Sequence, residues 1–224
     1  MNRPVIIAVD GTAASGKGTL ARRLAQHFHF AHLDSGSLYR LVALNLLRSN
    51  QLPGDEPGAA AAASAVNPAD ALHSNLRTDE IAEAASIVAA FPRVRAALFD
   101  YQRTFAANPP NAAKGAVIDG RDIGTVVCPH ADAKLFVDAQ PQVRAHRRWL
   151  ELEEAGSVVS EAAVLADIRA RDERDRSRKI APLRPASDAI LLDTTELDID
   201  AAFAVALAFV EPKVEETLRT RHRG

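Results

Sequence analysis

The chain has 224 residues with 27 lysines and arginines against 29 acidic residues, a formal charge of −2. It is long enough to bury a real core, yet it has no bulk basic field to hold nucleic acid or an anionic membrane. A single cysteine, Cys128, excludes an internal disulfide and an all-cysteine metal site, and no stretch approaches the ~20 apolar residues of a membrane span.

The first apolar run, Val5–Val9, is short and β-branched and is closed by Asp10-Gly11. It is too short for a signal-peptide core, so a soluble, cytosolic protein is expected, and any anion must be met by local arginines. Beyond Thr19, the spacing of Leu20, Leu24 and Phe28 predicts a helix, which makes the opening a strand, a glycine turn and a helix. Similar runs end in polar clusters at Ala31–Leu33, Ala116–Ile118, Lys134–Val137 and Ala189–Leu192, each followed by an aspartate. Five such runs separated by helical stretches predict an α/β fold with a parallel sheet, whose ligands gather at the carboxyl ends of the strands.

Between the second and third runs the chain predicts a helical insertion over about residues 36–105. Within it a loop holding Pro53-Gly54 and Pro57-Gly58 feeds an alanine tract over 59–65, which reads as a plain, small-faced helix or a flexible segment. Helices follow over Thr78–Ala90 and Pro92–Phe105, ended by Asn108-Pro109-Pro110. Glu161–Arg178 is helical and dense in charge, and a last helix over about Ile199–Leu218 contains Pro212, which predicts a kink or a break.

The sharpest motif is Gly11-Thr12-Ala13-Ala14-Ser15-Gly16-Lys17-Gly18-Thr19, placed between a strand and a helix. Glycines let backbone N–H groups curl around a polyphosphate, the helix N-terminus adds its positive end, and Lys17 brings a charge to the β/γ oxygens. The usual Ser or Thr after the lysine is replaced by Gly18, so the Thr19 hydroxyl becomes the candidate contact to phosphate or Mg²⁺. A phosphotransferase needs a second anion site to bring the acceptor in line. Arg171, Arg174, Asp175 and Arg178 share one face of the charged helix at ~100° per residue. Alone that helix reads as a solvated surface with i,i+4 pairs; beside a phosphate loop its arginines read as an anion grip, because their forks hold phosphate bidentately. Two more clusters lie at strand ends, Asp34–Arg40 and Asp119–Thr125.

These segments resemble the bacterial cytidylate kinases, P-loop enzymes that move the γ-phosphate of ATP to CMP or dCMP. The likeness runs through the Gly-Lys-Gly-Thr loop, Leu33–Arg40, Ala85–Arg95, Asp119–Val127 and Arg171–Leu183. It implies an adenylate-kinase-like fold with a five-stranded parallel core over 1–35, 106–155 and 183–224, a monophosphate-binding lobe over about 36–105 and a mobile lid over about 156–182. It also implies ATP on Gly11–Thr19 with Mg²⁺, and base contacts from Asp122, Arg95 and Ser86. The acceptor phosphate falls to Arg40, Arg121 and Arg178 with Ser35 nearby, the ribose to Asp175 and Arg171, and the transferring phosphoryl group to Arg174. Lys17, Arg121, Arg174 and Arg178 are then the catalytic set, in a monomer with no nucleic-acid or membrane partner. The chain departs from the family at about Leu52–Thr78, where many members carry a longer, strand-rich insertion and this one an alanine-rich piece. Cytosine offers one amine donor and the N3 and O2 acceptors, which suit a carboxylate beside a donor such as Asp122 with Arg95.

Other candidates have plainer readings. His27, His29 and His32 lack a ligand partner at metal spacing and read as a surface turn; Cys128 reads as a buried inert thiol and Trp149 as a packing anchor. The competing functions are the same fold acting on another acceptor such as UMP, and a P-loop nucleotide switch, against which stands the lack of an Asn-Lys-x-Asp element.

Overall fold

The computed structural model of the chain describes residues 3–72, 76 and 78–221. Five strands form one sheet: β1 (Val5–Gly11), β2 (Ala31–Asp34), β3 (Gly115–Gly120), β4 (Ala133–Asp138) and β5 (Ile190–Asp193). They lie in the order β2-β3-β1-β4-β5, and every pairing is parallel. Each of the five apolar runs became a strand, as a sheet covered on both faces demands.

Register puts the carboxyl ends side by side. Asp34 of β2 pairs with Asp119 of β3, Asp10 of β1 with Gly120, Gly11 with Val137, and Asp138 of β4 with Asp193. One face of β1, through Val5, Ile7 and Val9, packs on the helix α1 (Lys17–Phe28) at Leu20, Ala21 and Leu24. The same cluster takes Ala206, Val210 and Val214 from α8 (Ile199–Arg221). The other face, through Ala8, Ala116 and Ile118, meets Ala106 and the partly buried Phe99 and Phe105 of α5 (Pro92–Ala107).

Between β2 and β3 lie α2 (Ser35–Arg48), α3 (Glu56–Ser64), a 3₁₀ turn (Pro68–Leu72), α4 (Asp79–Val88) and α5. Asp34 caps α2 by accepting the Ser37 N–H at 3.1 Å, and Thr78 caps α4. The alanine tract is helical, and its start differs from the expectation of a loop: α3 begins at Glu56, ahead of Pro57-Gly58, because a proline is well placed in a first helical turn whose N–H groups have no partner. Its small faces, Ala59 and Ala63, let it approach the buried Leu38, Val42 and Leu46 of α2. No strand occurs in the described part of this insertion.

After β4 come α6 (Pro141–Glu154) and α7 (Glu161–Ser177). They join through Ala145 and Leu152 on one helix and Val164 and Ile168 on the other, with Trp149 packed alongside and its indole N–H donating to the Val159 carbonyl at 3.1 Å. Of the kink or break expected at Pro212 the break does not occur, since α8 runs through the proline as one helix. Ala208, whose carbonyl the proline leaves free, and Pro212 are both exposed to water, while Val210 and Val214 hold the helix to the core on either side.

Gly11 sits where the chain leaves the sheet with φ 154°, and a β-carbon there would overlap the Val137 carbonyl of β4. Gly11→Ala is therefore expected to cost about 3 kcal/mol of unfolding free energy. A urea titration checks this, and a wild-type midpoint would contradict the close approach.

Candidate active site

The phosphate loop runs from the end of β1 to the start of α1. Gly16, the residue that opens α1, is in the left-handed region at φ 83° and Ala14 at φ 56°, and no side chain caps the helix. Its first N–H groups are thus left to an outside acceptor. The loop is braced from behind: the Thr12 hydroxyl donates to Asp138 at 2.6 Å, Ser15 Oγ to the Thr12 carbonyl at 3.0 Å, and Thr194 Oγ1 to the Ser15 carbonyl at 3.1 Å. Lys17 donates to the Thr12 carbonyl at 3.2 Å. Burial, then the Arg121 charge, pulls its ammonium down to about 7, while Asp119 and Asp34 oppose the shift.

Lys17 opens onto a cleft that also gathers Ser35, Arg40, Ser86, Arg95, Arg121, Asp122, Arg171, Asp175 and Arg178. Residues from α1, α2, α4, α5, the turn after β3 and α7 thus meet in one place. Six cations line it against four carboxylates, Asp34, Asp119, Asp122 and Asp175. Arg95 pairs with Asp122, and Arg40 donates to Asp34 at 2.5 Å. Asp175 serves two partners, Arg121 Nε at 2.9 Å and Arg178. Burial works against the Asp175 charge, yet Arg121, Arg178 and Arg171 hold it below the usual carboxylate range. Asp122 moves the other way: burial raises it more than Arg95 and Arg178 lower it. Arg171 is pulled down to about 9 by burial and by Arg121. The Nε atoms of Arg40, Arg171 and Arg178 are buried without a hydrogen-bond partner among the described residues. A cleft with surplus cations and spare donors is chemically matched to an anion that the chain itself does not supply.

Two candidates lie elsewhere. Arg174 does not line the cleft; its Nε reaches Ser86 Oγ, on the cleft wall, at 3.4 Å. Thr19 is the third residue of α1, and its hydroxyl accepts from Arg22 at 3.2 Å. His32 departs from the surface-turn reading, since from β2 its Nε2 lies 2.8 Å from Asp119. Cys128 is buried, and burial pushes its thiol up to about 11, in keeping with an inert group.

Sequence reasoning passed over Asp10. It is 3% exposed, and its two oxygens accept the N–H groups of Ile123 and Gly124, both at 2.7 Å. Those bonds set the single π-type turn Ile123–Val127 that follows Arg121 and Asp122. The available signal was an aspartate closing a buried strand directly before the phosphate loop. Arg144 and Asp172 were missed as well, each hidden within a run of charges.

The family model for cytidylate kinase matches residues 7–211. The chain belongs to the cytidylate kinase family. It is 56% identical over 207 residues to the cytidylate kinase of Nitrobacter winogradskyi, covering 92% of this chain and 96% of that one. With the cytidylate kinase of Methylocella silvestris it shares 55% over 218 residues, 97% of this chain and 99% of the other. With that of Paramagnetospirillum magneticum it shares 56% over 208 residues, 93% and 98%. Family membership agrees with the five-stranded parallel sheet and with the Gly-Lys-Gly-Thr loop at its centre.

Burial drives the Asp10 carboxyl up to about 7 against its two backbone bonds. From about pH 4 to about pH 7 the unfolded chain has released this proton and the folded protein retains it. The group therefore favours folding at acid pH, and that contribution is lost as pH rises through 7. Relative to Asp10→Asn, wild-type stability is expected to fall by roughly 2–3 kcal/mol between about pH 5 and about pH 8. Urea unfolding of both proteins at the two pH values measures this, and parallel profiles would refute it.

Proposed function

We infer that the protein transfers the γ-phosphoryl group of ATP to CMP or dCMP, giving ADP and the pyrimidine diphosphate, with the cleft as the acceptor site. The observation that carries this reading is the set of three buried arginine Nε donors, without partners among the described residues, in the cleft that Lys17 of the phosphate loop also lines. Arg40, Arg121 and Arg178, with Ser35, take the acceptor phosphate, and Asp175 and Arg171 the ribose. Asp122 accepts from the cytosine amine while Arg95 donates to N3 or O2, with Ser86 beside them; the ion pair that the two now make with each other keeps both aimed into the cleft. Uracil would turn a carbonyl toward Asp122 and be repelled.

The acceptor oxygen is already ionised at neutral pH, so the chemistry needs positioning and charge neutralisation rather than a general base. Lys17, lowered to about 7 in the free protein, regains its charge against the polyphosphate. Residues 36–105 form the monophosphate lobe and 156–182 the lid. In the described structure α7 of that lid already reaches α4, through Arg174 on Ser86 and the Arg178 guanidinium on the Ser86 carbonyl at 3.5 Å. Arg174 remains the lid candidate for the transferring phosphoryl group, resting here on Ser86.

Among the described residues no group of three or more His, Cys, Asp or Glu side chains could hold a metal by itself. Thr19 of α1 is the contact assigned to a Mg²⁺ arriving on the nucleotide, and a single hydroxyl oxygen suits an ion that keeps most of its waters. When bound, the ion neutralises phosphate charge. No described helix is long and apolar enough to cross a membrane.

ADP release measured with CMP, dCMP, UMP and AMP tests the assignment. CMP and dCMP are expected to be preferred, and Asp122→Asn to lose about tenfold or more of the discrimination against UMP. A wild type that prefers UMP or AMP would overturn the base-reading argument. Lys17→Ala is expected to lower kcat by about 10³-fold with the fold intact by circular dichroism; near-normal turnover would remove the phosphate loop from the mechanism.

A further inference from the structure

Resting on that reading of the two substrates, we propose that Arg144 is a positioning residue that couples the phosphate loop to the acceptor-facing helix α7, so that a ligand in one site is felt in the other. Arg144 stands on α6 and is 1% exposed. Its Nε donates to the Ala139 carbonyl at 2.8 Å, and Nη1 donates to the carbonyl of Ala13 in the phosphate loop at 3.1 Å. The same guanidinium grips Asp172 of α7 with both arms, at 3.2 and 2.5 Å. Asp172 is itself 3% exposed. One planar fork therefore fixes a loop backbone atom and the lid helix at once.

The surroundings tighten this link. Asp138, 3.7 Å from Arg144, holds the Thr12 hydroxyl, and Ala14 packs on the apolar cluster that joins α6 to α7. Three consecutive loop residues are thus tied to the α6–α7 pair. On α7, Asp172 stands about 100° round the helix from Arg171 and about 60° from Asp175, the two residues that face the cleft. A shift of the helix at Asp172 must move both. Buried ion pairs hold a fold less well than apolar packing of the same volume, whereas they serve well to set a registry between elements. Here the pair bridges two substrate sites, which is where registry matters to phosphoryl transfer.

Calorimetric titration of CMP, with and without a saturating non-hydrolysable ATP analogue, tests the coupling. In wild type the analogue is expected to tighten CMP about tenfold, and in Asp172→Asn about twofold or less, while each ligand alone still binds. The double replacement Arg144→Met with Asp172→Leu substitutes an apolar contact for the ion pair and keeps the comparison open if the single variant fails to fold. A purely structural role would lower the Tm and leave the coupling of the folded protein untouched, and that result overturns the proposal. So does a wild type in which the ligands bind independently. A measurement without variants adds a second readout: the ATP analogue alone should slow amide hydrogen exchange across Arg171–Arg178, and unchanged exchange contradicts the link. Failure of wild type to bind CMP at all, seen in the same titration, would instead remove the substrate assignment and this inference with it.

Discussion

Six cationic side chains brought to one cleft repel each other, and the way that repulsion is contained organises the rest of the site. Burial, then repulsion from Arg121, pulls both Lys17 and Arg171 down. Four carboxylates offset the field without cancelling it. Asp175 is divided between Arg121 and Arg178, Asp34 is taken by Arg40, and Asp122 by Arg95. The remainder is positive charge with unused donors. On the proposed reading a dianionic phosphate completes the balance, so substrate binding uses the same electrostatics that holds the cleft together.

The sheet makes this crowding possible. Parallel strands deliver every carboxyl end to one edge, and the register sets Asp10, Asp34 and Asp119 within neighbouring strands there. The phosphate loop leaves from the middle strand, with Gly11 pressed against the backbone of β4. Asp10 then holds the turn that carries Arg121 and Asp122. The phosphate loop and the turn after β3 thus hang from adjacent residues of one strand, and Arg144 adds a third tie from the loop to α7.

Much of the local structure was legible because it depends on short-range rules. Five β-branched or aliphatic runs became five strands, and Asp34, Thr78 and Ser160 cap helices as their types suggest. Where reading failed, distant context had decided the outcome. Pro57-Gly58 opens a helix because alanines follow and α2 offers a face to bury, and Pro212 is carried within α8 because the core grips the helix on both sides of it. His32 looked like a surface turn until β3 brought Asp119 against it.

The sequence by itself determined the phosphate loop, the α/β alternation and the roster of arginines, since each is written in contiguous spacing and residue type. Only the tertiary structure decided which charges meet. Asp10 with the amides of Ile123 and Gly124, Arg144 with Asp172 and Ala13, and Asp175 between two arginines are contacts across 28 to 131 residues of chain or, for Arg178, round one helical turn. Such pairings carry no local signature, because a buried charge takes whichever partner the packing places within hydrogen-bond reach.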